Sequence, residues 1–182
     1  KVMDSWVKQT GFPMISADRA QDSKNIKLSQ TRFLYDHIED KQDNKEKTSW
    51  FVPIKIGSNL DDNLQTLLME SRDIKIQLET NQKGNVSWIK LNPNQTGFYR
   101  TKYTESDLEN LENAIVAGEL NPRDRLGVQG DCYALVRAGY TPVEHFLNLA
   151  TGYSNESDAS VLSDLATGLR GIENLISELS CH

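Results

Sequence analysis

Few residues in this chain are of types that could carry chemistry, and each has a plainer competing role. A thiol nucleophile needs a base, and Cys132 with His145 supplies those two types. Cys132, however, falls in an apolar stripe with Leu135 and Val136, where a thiol is an inert core residue. His145 stands beside Phe146 early in a helix, the place of a packing or solvent-facing histidine rather than a metal ligand. Asp124-Arg125 has the composition of an acid/base pair, but its register reads as capping. Asp124 occupies the third position of a helix, where a carboxylate favours the helix dipole, and Arg125 is expected to tie that helix to the preceding strands. Tyr99-Arg100 could stack on or clamp a carboxylate. On a strand, Phe98 and Arg100 point one way and Tyr99 and Thr101 the other, so an interior or interdomain arginine satisfying backbone carbonyls accounts for the pair. Gly97 marks a bulge or a close backbone approach more readily than a phosphate cradle.

The histidines, His37, His145 and His182, are scattered, and two cysteines, Cys132 and Cys181, exclude a disulfide-stapled scaffold and a Cys-rich zinc site. Asn85-Val86-Ser87, Asn94-Gln95-Thr96 and Asn155-Glu156-Ser157 fit the glycosylation pattern, yet with 14 Asn in the chain about two such matches arise by chance. We therefore expect no catalytic, cofactor-binding or metal-ligating residue in this chain.

The elements that would position these side chains fall into two kinds. Trp50, Val52, Ile54 and Ile56 alternate with Phe51, Pro53 and Lys55, and Ile74, Ile76 and Leu78 alternate with Lys75, Gln77 and Glu79. Period 2 predicts antiparallel strands with one buried face. Further strands are expected over residues 13–17, 26–35, 66–69, 87–91 and 97–103, separated by turn clusters around Gly84 and Pro93. Pro53 suggests an edge strand or a bulge. The polar stretch 39–47 reads as a hairpin loop. Residues 105–182 carry helix punctuation instead. Thr104 caps a helix with Asp107 at the third position and Gly118 ends it; Asn121 caps the next, Pro122 opens it and Gly139 ends it. Thr141-Pro142-Val143-Glu144 reads as a third start with a capping-box glutamate. Leu162, Leu165, Leu169, Ile172, Ile176 and Leu179 form the stripe of a last helix. Residues 1–9 resemble the end of a helix, with Val2, Met3 and Trp6 on one face, Gly11 as its cap and Pro13 as its stop. The expected fold is mixed α and β: a small antiparallel β-sandwich followed by an antiparallel α-helical array.

Charge divides the chain at the same place as periodicity. Residues 1–104 hold 16 Lys/Arg and 13 Asp/Glu, net +3, whereas residues 105–182 hold 4 and 13, net -9. The whole chain of 182 residues is at -6 with 37% hydrophobic and 25% charged residues. That balance argues against nonspecific nucleic-acid binding, and no apolar run approaches the roughly 20 residues of a membrane span. Residues 1–6 lack the apolar core of a signal peptide, and without a start Met the chain is expected to begin inside a longer protein.

Several blocks, in order, are similar to one family. Trp6-Val7-Lys8-Gln9-Thr10-Gly11-Phe12-Pro13-Met14-Ile15, Leu28-Ser29-Gln30-Thr31-Arg32-Phe33, Trp50-Phe51-Val52-Pro53-Ile54 and Lys90-Leu91-Asn92-Pro93-Asn94-Gln95-Thr96-Gly97-Phe98-Tyr99-Arg100 resemble gluzincin zinc aminopeptidases of the puromycin-sensitive type. Asp124-Arg125-Leu126-Gly127, Asp131, Ala134-Leu135 and Ala138-Gly139 resemble the first helices of their C-terminal domain. The resemblance implies three pieces: residues 1–12 as the terminal helix of a truncated catalytic domain, 13–104 as the β-sandwich domain, and 105–182 as the start of the helical C-terminal domain. It implies a parent enzyme that uses zinc to remove N-terminal residues from peptides, with this section setting the helical lid against the zinc domain. The implied partners are that catalytic domain and the parent's peptide substrates, and the implied compartment is the cytoplasm. The H-E-x-x-H ligand motif and the Gly-Ala-Met-Glu-Asn motif of the family are both absent, so zinc belongs to the parent and no cofactor to this chain. The alternative is a standalone sandwich and helix module that binds another protein without enzymatic activity. The acidic helical half reads as a solvated surface; an acidic cavity wall attracting positively charged peptide N-termini is its functional counterpart.

Overall fold

A computed structural model describes residues 2–19, 24–35, 48–79 and 84–177. The loop expected at 39–47, together with His37, Cys181, His182 and Leu179, lies outside the described residues. A short helix α1 (Val2–Val7) leads into seven strands: β1 (Phe12–Arg19), β2 (Asn25–Phe33), β3 (Val52–Ser58), β4 (Asp61–Met69), β5 (Asp73–Gln77), β6 (Ile89–Leu91) and β7 (Arg100–Lys102). Helices α2 (Glu105–Val116), α3 (Pro122–Arg137), α4 (Val143–Thr151) and α5 (Ala159–Ser177) follow.

The strands form two sheets, ordered β5-β2-β1-β7 and β4-β3-β6. Alternation decides what each face buries. Ile15 and Ala17 of β1, Ile26 and Leu28 of β2, Val52, Ile54 and Ile56 of β3, Met69 of β4 and Ile89 and Leu91 of β6 meet in one core with Trp50. This is the interior of a small sandwich. Its rim is joined by a buried amide: Gln30 Nε2 donates to the carbonyls of Trp50 (3.0 Å) and Ser71 (2.9 Å), and its Oε1 accepts from Trp50 N. The reverse face of β1 is covered too, because Met14 and Phe33 pack with Ala134, Leu135 and Ala138 near the end of α3. One strand is thus buried on both sides and links sandwich to helices.

Several expectations need correction. The strand expected at 66–69 begins already at Asp61, and that expected at 87–91 is reduced to Ile89–Leu91. The strand expected over 97–103 is only Arg100–Lys102, since Gly97 is drawn into a tight turn, and it pairs parallel with β1 while every other pair is antiparallel. Pro53 lies in the middle strand of its sheet, not an edge strand. It is tolerated because β3 meets β6 only at Ile56, Gly57 and Ser58, leaving Pro53 paired on one side alone, opposite Leu68. The irregularity of β3 falls at Ile56/Ser58 instead. Gly11 does not directly cap α1, which stops at Val7; its φ of +86° starts β1.

The helices begin and end for identifiable local reasons. Thr104 accepts from Asp107 N (3.2 Å) and Asn121 from Asp124 N (3.0 Å), each satisfying an otherwise unpaired helical N–H. Gly118 and Gly139, at φ +73° and +74°, take the left-handed turn after α2 and α3. The start of α4 differs from expectation. Pro142 is its N-cap and no side chain caps it, so Thr141 and Glu144 form no capping box. Helix α3 packs against both α4 and α5, and α2 against α4. Their core gathers Leu111, Ile115, Val128, Cys132, Phe146, Leu149, Tyr153, Val161, Leu165 and Ile172. The stripe expected along the last helix divides: Leu165 and Ile172 are buried, while Leu162, Leu169 and Ile176 are exposed.

Candidate functional site: a buried ionic seam between sheets and helices

The strand half carries the excess cations and the helical half the excess anions, and where they touch these charges pair. Three basic residues, Arg19 on β1, Lys90 on β6 and Arg100 on β7, face three carboxylates, Asp107 on α2 and Asp124 and Asp131 on α3. Arg19 sends Nε (2.9 Å) and Nη2 (2.6 Å) to Asp107 Oδ1 and Nη1 to the Val86 carbonyl (2.6 Å). The side chains of this pair are 0% and 3% exposed, so neither ion has access to bulk water. Asp131 receives Arg100 Nη1 on Oδ1 (3.0 Å) and the Thr101 backbone N–H on Oδ2 (2.9 Å). It therefore holds both the side chain and the main chain of β7.

Lys90 lies between the two carboxylates of α3. Its ammonium donates to the Leu91 carbonyl and stands 3.9 Å from Asp124 Oδ1. Burial pushes its pKa below the ordinary lysine value, against the pull of Asp124 and Asp131. Burial likewise raises the Asp131 carboxyl, with Arg100 and Lys90 opposing. Asp124 accepts from Asn94 N (2.7 Å) on one oxygen and from Asn121 Nδ2 (2.6 Å) on the other. The Tyr103 hydroxyl accepts from Leu91 N (2.9 Å), and Lys102 reaches the Tyr140 carbonyl (3.1 Å).

A buried lysine near a carboxylate of raised pKa, Asp131, is also what an acid/base site can look like. Here Lys90, Asp124 and Asp131 are only 2%, 5% and 4% exposed, and both oxygens of each aspartate are occupied. A reactant could approach only if the helices left the sheets. The arrangement can hold two layers at a fixed angle; it offers no open position for chemistry.

The residues singled out in sequence come to rest as follows. Cys132 is buried in the helical core with its thiol pushed up to about 12 by burial, and among the described residues no hydrogen bond joins it to His145 on α4. Asp124 does stand at the third position of its helix, but it is Asp124 that reaches the sandwich loop. Arg125 does not: its Nε (2.6 Å) and Nη2 (2.7 Å) fork onto Glu156, and its Nη1 meets the Leu120 carbonyl. That fork, with the Ser157 and Asp158 N–H groups, holds the Glu156 carboxyl at about 2. Arg100 is an arginine between layers, but its partner is the Asp131 carboxylate, not backbone carbonyls. Gly97 is a close approach, since a Cβ there would lie 2.5 Å from the Tyr99 ring. Phe98 is 71% exposed beside α1, on a groove of about 420 Å3 that Met3, Trp6 and Pro53 also line.

Sequence reasoning missed Arg19, Lys90 and the carboxylates of Asp107 and Asp131 as partners. A signal was present: positions 124, 127, 128, 131 and 135 lie along one face of α3, and that face reads Asp, Gly, Val, Asp, Leu. Two acids on a buried stripe require cations from elsewhere.

Among the described residues no three His, Cys, Asp or Glu side chains gather as a metal would need, so the donors present do not fit zinc. No helix among them is long and apolar enough to cross a membrane.

Residues 88–181 match the family described as the ERAP1-like C-terminal domain. Aminopeptidase M1-B of Oryza sativa subsp. japonica is 33% identical over 181 residues, which is 96% of this chain and 20% of that protein. Aminopeptidase M1 of Arabidopsis thaliana is 34% identical over 176 residues, 91% of the chain and 19% of the relative. The puromycin-sensitive aminopeptidase of Caenorhabditis elegans is 28% identical over 184 residues, again 19% of its length. The chain thus spans about a fifth of the length of these relatives. Since the matched region covers β6, β7 and all four helices of the array, this chain belongs to the family of ERAP1-like C-terminal domains.

Proposed function

We propose that this chain is a noncatalytic section of a zinc-dependent aminopeptidase, and that it spaces and orients a helical lid against the zinc domain. The observation that carries the reading is the ionic seam. Three cation–carboxylate pairs, with all three carboxylates buried, join β1, β6 and β7 to α2 or α3. Geometry of this kind contributes orientation more than net stability, because the desolvation of each ion offsets much of its attraction. The similarity to aminopeptidases along most of the chain supplies the parent activity. In this reading residues 1–12 close the catalytic domain, 13–104 are the spacer and 105–182 begin the lid. Zinc and peptide substrates are the parent's, no residue of this chain is catalytic or a metal ligand, and the compartment is the cytoplasm.

The test uses the full-length protein. Asp131→Leu is expected to leave zinc content at one equivalent while lowering kcat/KM on peptides about tenfold or more, through misplacement of the lid. Loss of zinc in that variant, or unchanged kcat/KM with the seam shown to be broken, would sink the bracing role. A full-length protein that holds no zinc and releases no N-terminal residue would sink the aminopeptidase reading itself.

A further inference from the structure

The loop between β6 and β7 carries an unusual conformation. Asn92, Asn94 and Gln95 have φ of 54°, 59° and 54°, in the left-handed region that disfavours residues with a Cβ. Asn tolerates it through local hydrogen bonds, and Asn92 makes them, accepting from Gly97 N (2.6 Å) and donating to the Gly97 carbonyl (3.0 Å). Gln has no such affinity for the left-handed region. The reason for a glutamine lies across the junction. Gly127 of α3 is covered by the Gln95 side chain so closely that a Cβ built on it would lie 1.7 Å from Nε2, 2.3 Å from Cδ and 3.0 Å from Cγ. The Gln95 amide nitrogen is buried there with no hydrogen-bond partner among the described residues. The same loop is gripped from α3 by Asp124, which takes the Asn94 N–H (2.7 Å), and by Asn121, whose Nδ2 donates to Asn94 Oδ1 (3.3 Å).

Strain and an unsatisfied amide persist only where the surroundings over-determine them. We infer that Gln95 is a key seated across Gly127, and that the left-handed loop and the docking of α3 on the sheets form one two-state element: seated and strained, or released and relaxed. In the released state Gln95 leaves the helix, Asn94 loses Asp124, and the loop recovers ordinary φ values. The inference rests on the bracing reading for its biological sense, but not for its test, which needs no catalytic activity.

The experiment is a double-mutant cycle in the full chain, read by amide hydrogen exchange and urea unfolding. Gly127→Ala should unseat the key and speed exchange of the Asn94 and Gly97 amides about tenfold or more. Gln95→Gly relieves the strain and empties the space above Gly127. In the Gln95→Gly/Gly127→Ala double variant, the new methyl should therefore cost little beyond Gln95→Gly alone. Strictly additive effects, or unchanged exchange at Asn94 and Gly97 in Gly127→Ala, overturn the proposal. Should Gly127→Ala fail to fold, recovery of a folded double variant still supports the key, and its failure to recover counts against it.

Discussion

At the scale of single residues, the decisive fact is that buried ions have little choice of partner. Arg19 has its side chain wholly enclosed, and it is satisfied by Asp107 and the carbonyls of Val86 and Ser87. Asp107 is in turn held at the start of its helix by the N-cap Thr104, whose Oγ1 accepts from Asp107 N and donates to Asp107 Oδ2. Removing the carboxylate charge leaves a cation in a low-dielectric interior, which costs far more than the pair contributes. Asp107→Asn is therefore expected to destabilise by about 3–5 kcal/mol in urea unfolding. Arg19→Met combined with Asp107→Leu should cost clearly less than Asp107→Asn alone, since neither ion is then stranded. A double variant as damaged as the single one would contradict the burial seen here. Sequence alone shows Asp107 at the third position of a helix capped by Thr104 and gives Arg19 no role, because the partners are 88 residues apart and nothing local links them.

At the scale of elements, what local rules could state, they stated well. The alternation in β3 and β5, the caps at Thr104 and Asn121 and the stops at Gly118 and Gly139 all depend on neighbours a few residues away. Failures occur where a hydrogen bond or a packing contact outside those rules overrides the local signal. The strand expected from Gly97 is shortened because Asn92 captures both backbone groups of Gly97. The expected capping box at Thr141 is not made, and α4 is held by the burial of Phe146 and Leu149. Arg125, expected to reach the strands, forks onto Glu156 in the link to α5 instead. That link has a pH signature. Arg125 first, then the Asp158 and Ser157 N–H groups, lower the Glu156 carboxyl from the ordinary 4.5 to about 2. A depressed carboxyl stabilises the fold above its unfolded value and loses that contribution as pH falls toward its folded value. Glu156→Gln should thus cost about 1–3 kcal/mol at neutral pH. The gap to the parent protein should shrink as pH falls from 4.5 to about 2. A gap independent of pH across that window would mean that Arg125 and Glu156 do not pair in solution.

At the scale of the whole molecule, the charge division acquires a different meaning from the one composition suggests. A strand half at +3 and a helical half at -9 read as two surfaces facing solvent. In the structure part of that imbalance is turned inward, so that β1, β6 and β7 each give a cation to a carboxylate of the helical half. The two apolar cores also share Tyr103, which packs against both. Sandwich and helices should therefore lose structure together. In a Trp88→Phe background, since Trp88 packs on the helical core, tryptophan fluorescence reports the sheets through Trp6 and Trp50, and far-UV circular dichroism reports α2 to α5. The two probes are expected to give coincident urea transitions in the parent sequence. Asp131→Leu removes the countercharge of Arg100 and weakens that of Lys90, while leaving both cores intact. In that variant the transitions should separate, because Arg100 loses its countercharge and Lys90 one of its two, and the joint between the halves is weakened there. Coincident transitions in Asp131→Leu would show that the Asp131 ion pairing is not what couples the halves and only decorates the joint. Separated transitions in the parent sequence would show that the halves are independent and that no brace exists.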